Sequence, residues 1–363
     1  VNNDYWEVRP TKMLVGVVSN TSVTTDLCFD GLAGLDPTIL FRFIDPYGRD
    51  ASLMDDCDII IFVRHLFMPV YQAAFQEAKR REKPLYLLVD DNFVVLAGEK
   101  QPNPADDAIF KHYAEPIFQE TLKDMAGILS ASPALTEFFR SYHETILPFG
   151  PTADRSIAPR RAAVAEDLRV GFFGGAFRAE ALRCEVLPAL KAVARKRPVT
   201  LVAGPSVERF REEIEGAGIK LALVPIIANF RRFVRTWQSH GINVAVHPRG
   251  ETANIKYKTP NAVLVSHYLG AVPIVWDEPA YTGIGEADGL LKIVDTDFAT
   301  ALASIGTPSN REAFMARLAT FCDSTFSPFS NIRTLRQLRE RLWPAQHGDW
   351  RMVAPPSIGE IAR

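Results

Sequence analysis

The sequence predicts an α/β protein of two doubly wound parallel-sheet domains. Three observations carry that expectation: short uninterrupted apolar runs, amphipathic stretches between them, and a Pro-rich break near the middle of the chain. An apolar run without polar alternation suits a strand buried on both faces, as in a parallel sheet covered by helices. Strands alternating with helical patterns imply βα units.

In the first half the runs Met13–Val18 (MLVGVV), Ile59–Val63 (IIIFV), Leu85–Val89 (LYLLV) and Gly127–Ser130 (GILS) read as buried strands. Between them, the spacing predicts a helix over 70–81, with Val70, Ala74 and Ala78 on one stripe, basic residues at its C-terminus and Pro84 to stop it. A second helix is expected over 133–143, with Ser132 as N-cap and Pro133 at the first helical position. Residues 146–159 (ILPFGPTADRSIAP) have linker composition. A new strand opens at 169–173 (RVGFF), followed by Gly174-Gly175 and a helical pattern through 197. Then come Val199–Ala203, a helix over 207–217, and strands at 220–224 and 242–246. The expected division is an N-terminal domain over 1–150, a linker over 151–167, a C-terminal domain over 168–325, and a helix and tail over 326–363 that pack back toward the first domain. No repeat of fixed period and no low-complexity segment is visible.

Composition sets outer bounds. A chain of 363 residues exceeds one ordinary core, which agrees with two domains. Apolar residues at 47% and charged residues at 23% describe a globular chain and exclude a disordered or fibrous one. A formal net charge of −2 removes the electrostatic footprint of a nucleic-acid binder. The local basic clusters at 195–197 and at Arg231, Arg232 and Arg235 read as wet helix faces, and at most suggest an acidic partner or membrane surface. Cys28, Cys57, Cys184 and Cys322 form no CxxC or Cys/His pair, so neither a zinc site nor a disulfide framework is indicated. No run approaches the roughly 20 apolar residues of a membrane span, and the opening VNNDYWEVRP lacks a signal-peptide core. A cytoplasmic protein is expected, with peripheral membrane contact as a secondary expectation through the region over 323–343, which combines a polar turn with a basic amphipathic helix. Because the chain begins at Val1, targeting segments outside it stay open.

Residues 244–275 are the most informative stretch. They read as strand, basic polar loop, helix, Gly turn and second strand. Ligands of open α/β sheets sit outside the carboxyl ends of strands, and a helix N-terminus there offers free N–H groups to an anion. Arg249, Lys256 and Lys258 arrive at that turn, so a phosphate is the natural guest; a solvated loop is the alternative for each. Lys256 and Lys258, two apart, diverge on a helix, so one of them faces the cleft. Gly174, Gly175, Arg178 and Arg183 follow another strand end, where a Gly pair lets backbone amides approach and a guanidinium can grip phosphate in bidentate fashion. Against that stand a surface salt bridge for Arg178 and a water-facing position for Arg183. In the first half, Arg64-His65 and Asp90-Asp91-Asn92 stand at two strand ends. A carboxylate or a His there can hold a sugar hydroxyl or act as general base, or else simply cap the next helix or turn. Spacings for a dinucleotide fingerprint, a P-loop or a GxSxG elbow are absent.

Over 168–305 the chain resembles the GT-B glycosyltransferases, within them the group 1, or family 4, retaining type. The residues that carry the resemblance are VGFFGGAFRAEALR with Gly174, Gly175, Arg178 and Arg183, the linker-like Pro148-Phe149-Gly150-Pro151-Thr152-Ala153-Asp154, the "GxPVV"-like turn beginning at Gly270, and Gly285 to Leu291 resembling "GxxGLLV". The resemblance implies two Rossmann-like domains facing a central cleft, with a nucleotide-diphosphate sugar against the second and an acceptor against the first. It implies a metal-independent hexosyltransferase of polysaccharide biosynthesis, without a cofactor, acting on a glycan, lipid-linked or other acceptor. Arg178, Arg183, Arg249, Lys256 and Lys258 become diphosphate ligands together with Gly174 and Gly175. Asp90, Asp91 and His65 become catalytic candidates, and Arg64, Asn92, Glu251 and Asn254 sugar, acceptor or ribose contacts.

The family's ribose-gripping Glu is replaced by Val265, and its basic residue near the helix start by Ala262. Glu251, Asn254 or the pair Asp277 and Glu278 would then compensate, or the donor is held differently. Two alternatives accompany the transferase reading: a nucleotide-sugar epimerase on the same fold, and a non-catalytic carbohydrate- or protein-interaction module.

Overall fold

In a computed structural model, residues 12–343 are described apart from 21–22, 49, 101–103, 162–166 and 295–296. Both the opening stretch before Lys12 and the tail after Trp343 therefore lie outside the described residues, as does part of the expected linker.

Among the described residues, twelve strands form two six-stranded sheets, parallel throughout. The first contains β1 (Met13–Val18), β2 (Ile39–Ile44), β3 (Ile59–Val63), β4 (Leu85–Val89), β5 (Gly127–Ser130) and β6 (Ile146–Pro148), in the order β2-β1-β3-β4-β5-β6. The second contains β7 (Leu168–Phe172), β8 (Val199–Ala203), β9 (Lys220–Leu223), β10 (Val244–His247), β11 (Val272–Trp276) and β12 (Leu291–Ile293), in the order β12-β11-β10-β7-β8-β9. Chain order reverses between β1 and β3 in one sheet and between β7 and β10 in the other, and at such switch points the loops part to leave a crevice.

Each sheet buries both faces. In the first, Ile60, Phe62 and Leu87 pack with Tyr71, Phe75, Phe118 and Leu135 on one side. On the other side Val15, Val17 and Ile61 pack with Phe29, Ile332, Leu335 and Leu338. In the second, Val170, Leu201 and Val244 pack with Leu187, Leu190 and Phe298, while Val202, Ala245 and Val275 pack with Val234, Val263 and Leu318. That two-sided burial is why these strands lack polar alternation.

Three strands escape the sequence pattern; one of them, β12, is only three residues long and lies at the edge of the second sheet. β2 (ILFRFI) is an edge strand with Leu40 and Phe43 exposed, so no continuous buried run marks it. β6 falls inside the stretch read as linker, and the first sheet therefore extends to Pro148. The helix expected over 133–143 ends at Phe139, and the one expected over 207–217 is a 3-10 turn followed by an α-helix over Arg211–Gly216.

The last described helix, Phe329–Leu342, lies on the first sheet rather than the second. Its Asn331 donates to Gly150 O at 2.8 Å and accepts from Gly150 N at 3.2 Å, and Arg336 pairs with Asp36 at 2.6 Å. Among the described residues, no helix is long and apolar enough to cross a membrane.

Candidate functional site

Loops at the carboxyl ends of β1, β3 and β4 face those of β7, β10 and β11 across a polar cavity of about 270 Å³. Both sheets thus present their switch points to one space. From the first sheet come Thr24, Arg64, Asp90 and Asp91; from the second, Gly174, Gly175, Arg178, His247, Lys258 and Glu278.

Arg64 adopts φ +66°, a left-handed conformation that a non-Gly residue takes at a cost and that commonly marks a functional site. Its backbone is held there by Leu88 O, which accepts from Arg64 N at 2.9 Å, and by the Tyr113 hydroxyl, which donates to Arg64 O at 3.1 Å. The turn aims the guanidinium at two carboxylates, Asp90 at 2.5 Å and Asp91 at 3.0 Å. The two differ. Burial, reinforced by the neighbouring Asp91 charge and opposed by Arg64, pushes the Asp90 carboxyl above its ordinary range. Against the burial penalty, Lys258 and Arg64 with the Lys258 and Asn254 hydrogen bonds hold Asp91 below it. Asp90 Oδ2 is engaged by Thr24 and Arg64, but its buried Oδ1 has no partner among the described residues. Asp91 is saturated: Arg64, Asn254 at 2.8 Å and Lys258 at 2.5 Å.

On the opposite wall Arg178 is buried and bound in bidentate fashion to Glu278, at 2.6 and 2.7 Å, and also donates to Pro248 O. Glu278 additionally accepts from Gly250 N at 2.9 Å. His247, the last residue of β10, hydrogen-bonds Tyr281 at 2.7 Å. Burial, then the nearby Arg178 and Lys258 charges, hold its pKa well below the ordinary value, so it is a neutral imidazole. The charged side chains of the cavity, Arg64, Arg178 and Lys258 against Asp90, Asp91 and Glu278, therefore balance in formal charge. Additional attraction for an anion comes from backbone: the Gly174-Gly175 turn and the first turn of the Asn261–Leu269 helix both open onto the cavity. That helix ends at Gly270 with φ +66°, where a side chain would strike the Arg160 carbonyl, so glycine is required at the turn into β11.

An apolar cavity of about 460 Å³ adjoins the polar one. Phe230, Phe233, Trp237, Ile226, Ile227 and Val265 line it, beside the loop 204–206 after β8. Among its described lining residues none is charged.

Several sequence expectations need correction. Arg183 is half-exposed and pairs with Glu180 outside the cavity, because its helix turns it away from the Gly-Gly loop. Arg249 is exposed over Trp276 and near Glu185, and Lys256 is exposed beside Tyr257. Neither lines the cavity; of the two lysines, Lys258 does. The 3-10 turn Ala253–Tyr257 crosses to the first sheet instead, burying Tyr257 in that sheet's core and Asn254 against the loop after β4. Asn254 thus clamps Asp91 and the Asn92 amide, and Glu251 points to solvent. Asn92 is fully buried and caps the Phe93–Leu96 helix through Val95 N, so its side chain meets no ligand space. His65 packs between Tyr71 and Phe93 outside the cavity; burial, then the adjacent Arg64, lower its pKa to about 4. Of the residues offered to replace the ribose-gripping Glu, Asp277 pairs with Lys292 and Glu278 is taken by Arg178. Thr24, Tyr281 and Asn261 line the cavity although no motif marks them, and so does His247, which in the sequence reads as one of several scattered structural histidines. The strand-end rule that picked Arg64 and Asp90 applies equally to His247.

Among the described residues, no group of three or more His, Cys, Asp or Glu is placed to hold a metal ion.

Two parallel-sheet lobes meeting at their switch points define the GT-B architecture. Solved structures share it at low identity. HepE from Anabaena, determined with UDP-glucose, is 9% identical with a TM-score of 0.63, covering 90% of this chain and 100% of its own. TarM is 11% identical with a TM-score of 0.53, covering 79% of this chain, which spans only 58% of TarM. A Listeria monocytogenes protein described as a UDP-N-acetylglucosamine 2-epimerase is 14% identical with a TM-score of 0.55, covering 91% and 96%. No protein-family model and no curated protein matches the chain.

Proposed function

We propose that this chain is a glycosyltransferase that takes a sugar from a nucleotide-diphosphate donor. The observation that carries the reading is the pairing of an apolar slot with a polar cavity at the carboxyl ends of β7 to β10, a shape that matches a nucleoside joined to a charged, hydroxyl-rich group. The nucleoside occupies the slot, and the diphosphate lies over Gly174-Gly175 and the N-terminus of the Asn261–Leu269 helix. Lys258, whose side chain is 30% exposed, has a flexible stem that lets its ammonium move from Asp91 to a phosphate oxygen. The sugar faces Asp90, whose free Oδ1 accepts a sugar or acceptor hydroxyl, or supports the cationic sugar as the diphosphate leaves. Chemistry proceeds without a metal, and the acceptor, a glycan or lipid-linked molecule, approaches from the first sheet. Retention of configuration comes with the family resemblance, the departing phosphate taking the acceptor proton. A cytoplasmic setting completes the reading.

One observation favours a second reading, a non-catalytic binding module: each cation on the cavity wall already has a carboxylate partner. A thermal-shift panel of UDP-, GDP-, dTDP- and CMP-sugars separates the readings, since a ligand at 100 times its dissociation constant adds about 2.7 kcal/mol of stability. A response with slow release of free sugar supports transfer. Interconversion of the sugar without acceptor indicates an epimerase, and silence across the panel indicates the module.

A further inference from the structure

Six residues line both cavities, and among these Val23, Leu27, Phe173, Gly174, Gly175 and Asn261, only Asn261 has a polar side chain. In a nucleoside diphosphate the ribose is the piece that joins base to phosphate. A base in the apolar slot and phosphates in the polar cavity place the ribose at this shared wall.

Asn261 is the first residue of the Asn261–Leu269 helix, and its Oδ1 is buried with no hydrogen-bond partner among the described residues. A buried amide atom left unpaired costs free energy that an arriving hydroxyl recovers. A hydroxyl both donates and accepts, so it satisfies the amide in either orientation. One helical turn further on, Val265 supplies only apolar surface, and no carboxylate lines the slot among its described residues. Asp277 and Glu278 are occupied elsewhere by Lys292 and Arg178.

We propose, given the nucleoside-diphosphate donor of the preceding section, that Asn261 is the ribose-reading residue of this chain, and that it reads the sugar weakly. A neutral amide makes an ordinary hydrogen bond where a carboxylate would make charge-assisted ones. Discrimination between a ribonucleotide and its deoxy analogue is therefore small, and the site accepts deoxyribonucleoside-linked donors nearly as well as ribonucleoside-linked ones.

The test is calorimetric binding of UDP, GDP and ADP to the full chain, each beside its 2′-deoxy and 3′-deoxy analogues. For the nucleotide that binds, one deoxy analogue is expected to be weaker by about 2- to 12-fold, the value of one neutral hydrogen bond. In Asn261→Ala the ribonucleotide falls to the level of that analogue, whose own affinity is unchanged and so reports that the variant is folded. Equal affinities in the unaltered chain, a gap that survives Asn261→Ala, or a gap above 100-fold each overturn the assignment. Failure of every nucleotide to bind the unaltered chain removes the donor reading beneath it instead.

Discussion

The Arg178 guanidinium lies against the Glu278 carboxylate through hydrogen bonds of 2.6 and 2.7 Å, with only 2% and 4% of the two side chains exposed. Three loops converge on this pair, since Arg178 also donates to Pro248 O and Glu278 also accepts from Gly250 N. A residue read from the sequence as a ligand of phosphate is thereby also a structural tie. Removing one member of a buried pair leaves the other charge without compensation, which costs about 3–5 kcal/mol. Arg178→Ala is expected to lower the unfolding free energy by that order, and Arg178→Ala with Glu278→Ala by less than the single change. Denaturant titration of the three variants checks it. An Arg178→Ala protein of unchanged stability that has lost donor binding would instead make Arg178 a free phosphate ligand.

The reason that pairing stayed hidden is distance along the chain: Glu278 lies 100 residues after Arg178. Periodicity exposes what is local. The runs MLVGVV, IIIFV and LYLLV are visible because both faces of their strands are buried, whereas β2 exposes Leu40 and Phe43 on opposite faces and carries Arg42. The rule that strand ends bear chemistry brings Arg64, Asp90 and Asp91 to the cavity wall. It is blind to which charges neutralise one another, as Arg178 and Glu278 show, and to which helix turns a side chain away, as Arg183 shows. The crossing of 253–257 to the other lobe is likewise a tertiary event, set by Tyr257 finding an apolar socket in the first sheet's core.

His65 supplies a pH prediction. Burial, then the adjacent Arg64, lower its pKa to about 4, and the ring sits between Tyr71 and Phe93 away from the cavity. Above pH 5 it is neutral and does not change charge, so no limb of an activity profile between pH 5.5 and 8 belongs to it. His65→Phe should leave the shape of the kcat profile unaltered over that window. Loss of an inflection near neutrality in this variant would restore His65 as the base.

Where the lobes meet behind the cavity, Arg231 reaches Asp154 at 2.9 Å and Asp30 at 3.3 Å, and Asp26 accepts from Phe230 N at 2.6 Å. Burial, then the neighbouring Asp26, push the Asp30 pKa from 3.8 up to about 6, with Arg231 opposing. The folded state therefore holds this proton more tightly than the unfolded chain. Its contribution to stability is complete below pH 3.8 and is lost as pH rises through about 6. At pH 7.5 the ionised group is a cost, on the order of 1–2 kcal/mol after solvent screening. Asp30→Asn should stabilise the protein by that order at pH 7.5 and give no gain at pH 4. Unfolding midpoints at the two values decide, and a gain at pH 4 or a loss at pH 7.5 contradicts the assignment.

Asn254 joins the two lobes through both ends of one amide. Its Nδ2 donates to Asp91 Oδ1 at 2.8 Å and its Oδ1 accepts from the Asn92 amide at 2.8 Å, all within a buried seam. Neighbouring contacts follow the same route: Glu99 takes hydrogen bonds from Thr252 Oγ1 at 2.7 Å and Ala253 N at 2.6 Å, and Ser132 donates to Tyr257 O at 2.8 Å. Asp91 keeps Lys258 and Arg64 when the amide is removed, so the uncompensated loss falls on the Asn92 N–H. An unsatisfied buried donor costs about 1–3 kcal/mol, and Asn254→Ala should lose that much. Because the Asn92 side chain also caps the Phe93–Leu96 helix, hydrogen exchange should quicken at residues 92–96 and 252–258 while β7 and β8 keep their protection. Asn254→Asp sets a second carboxylate against Asp91 and should be worse than Asn254→Ala at pH 7, recovering as the pH is lowered and the new carboxyl, its pKa raised by burial and by the Asp91 charge, takes up a proton. Unchanged exchange across the seam in Asn254→Ala would mean that the lobes are held together by the flanking contacts alone. The amide would then be a passenger, and the approach of Lys258 to the cavity would depend on Tyr257 and its socket.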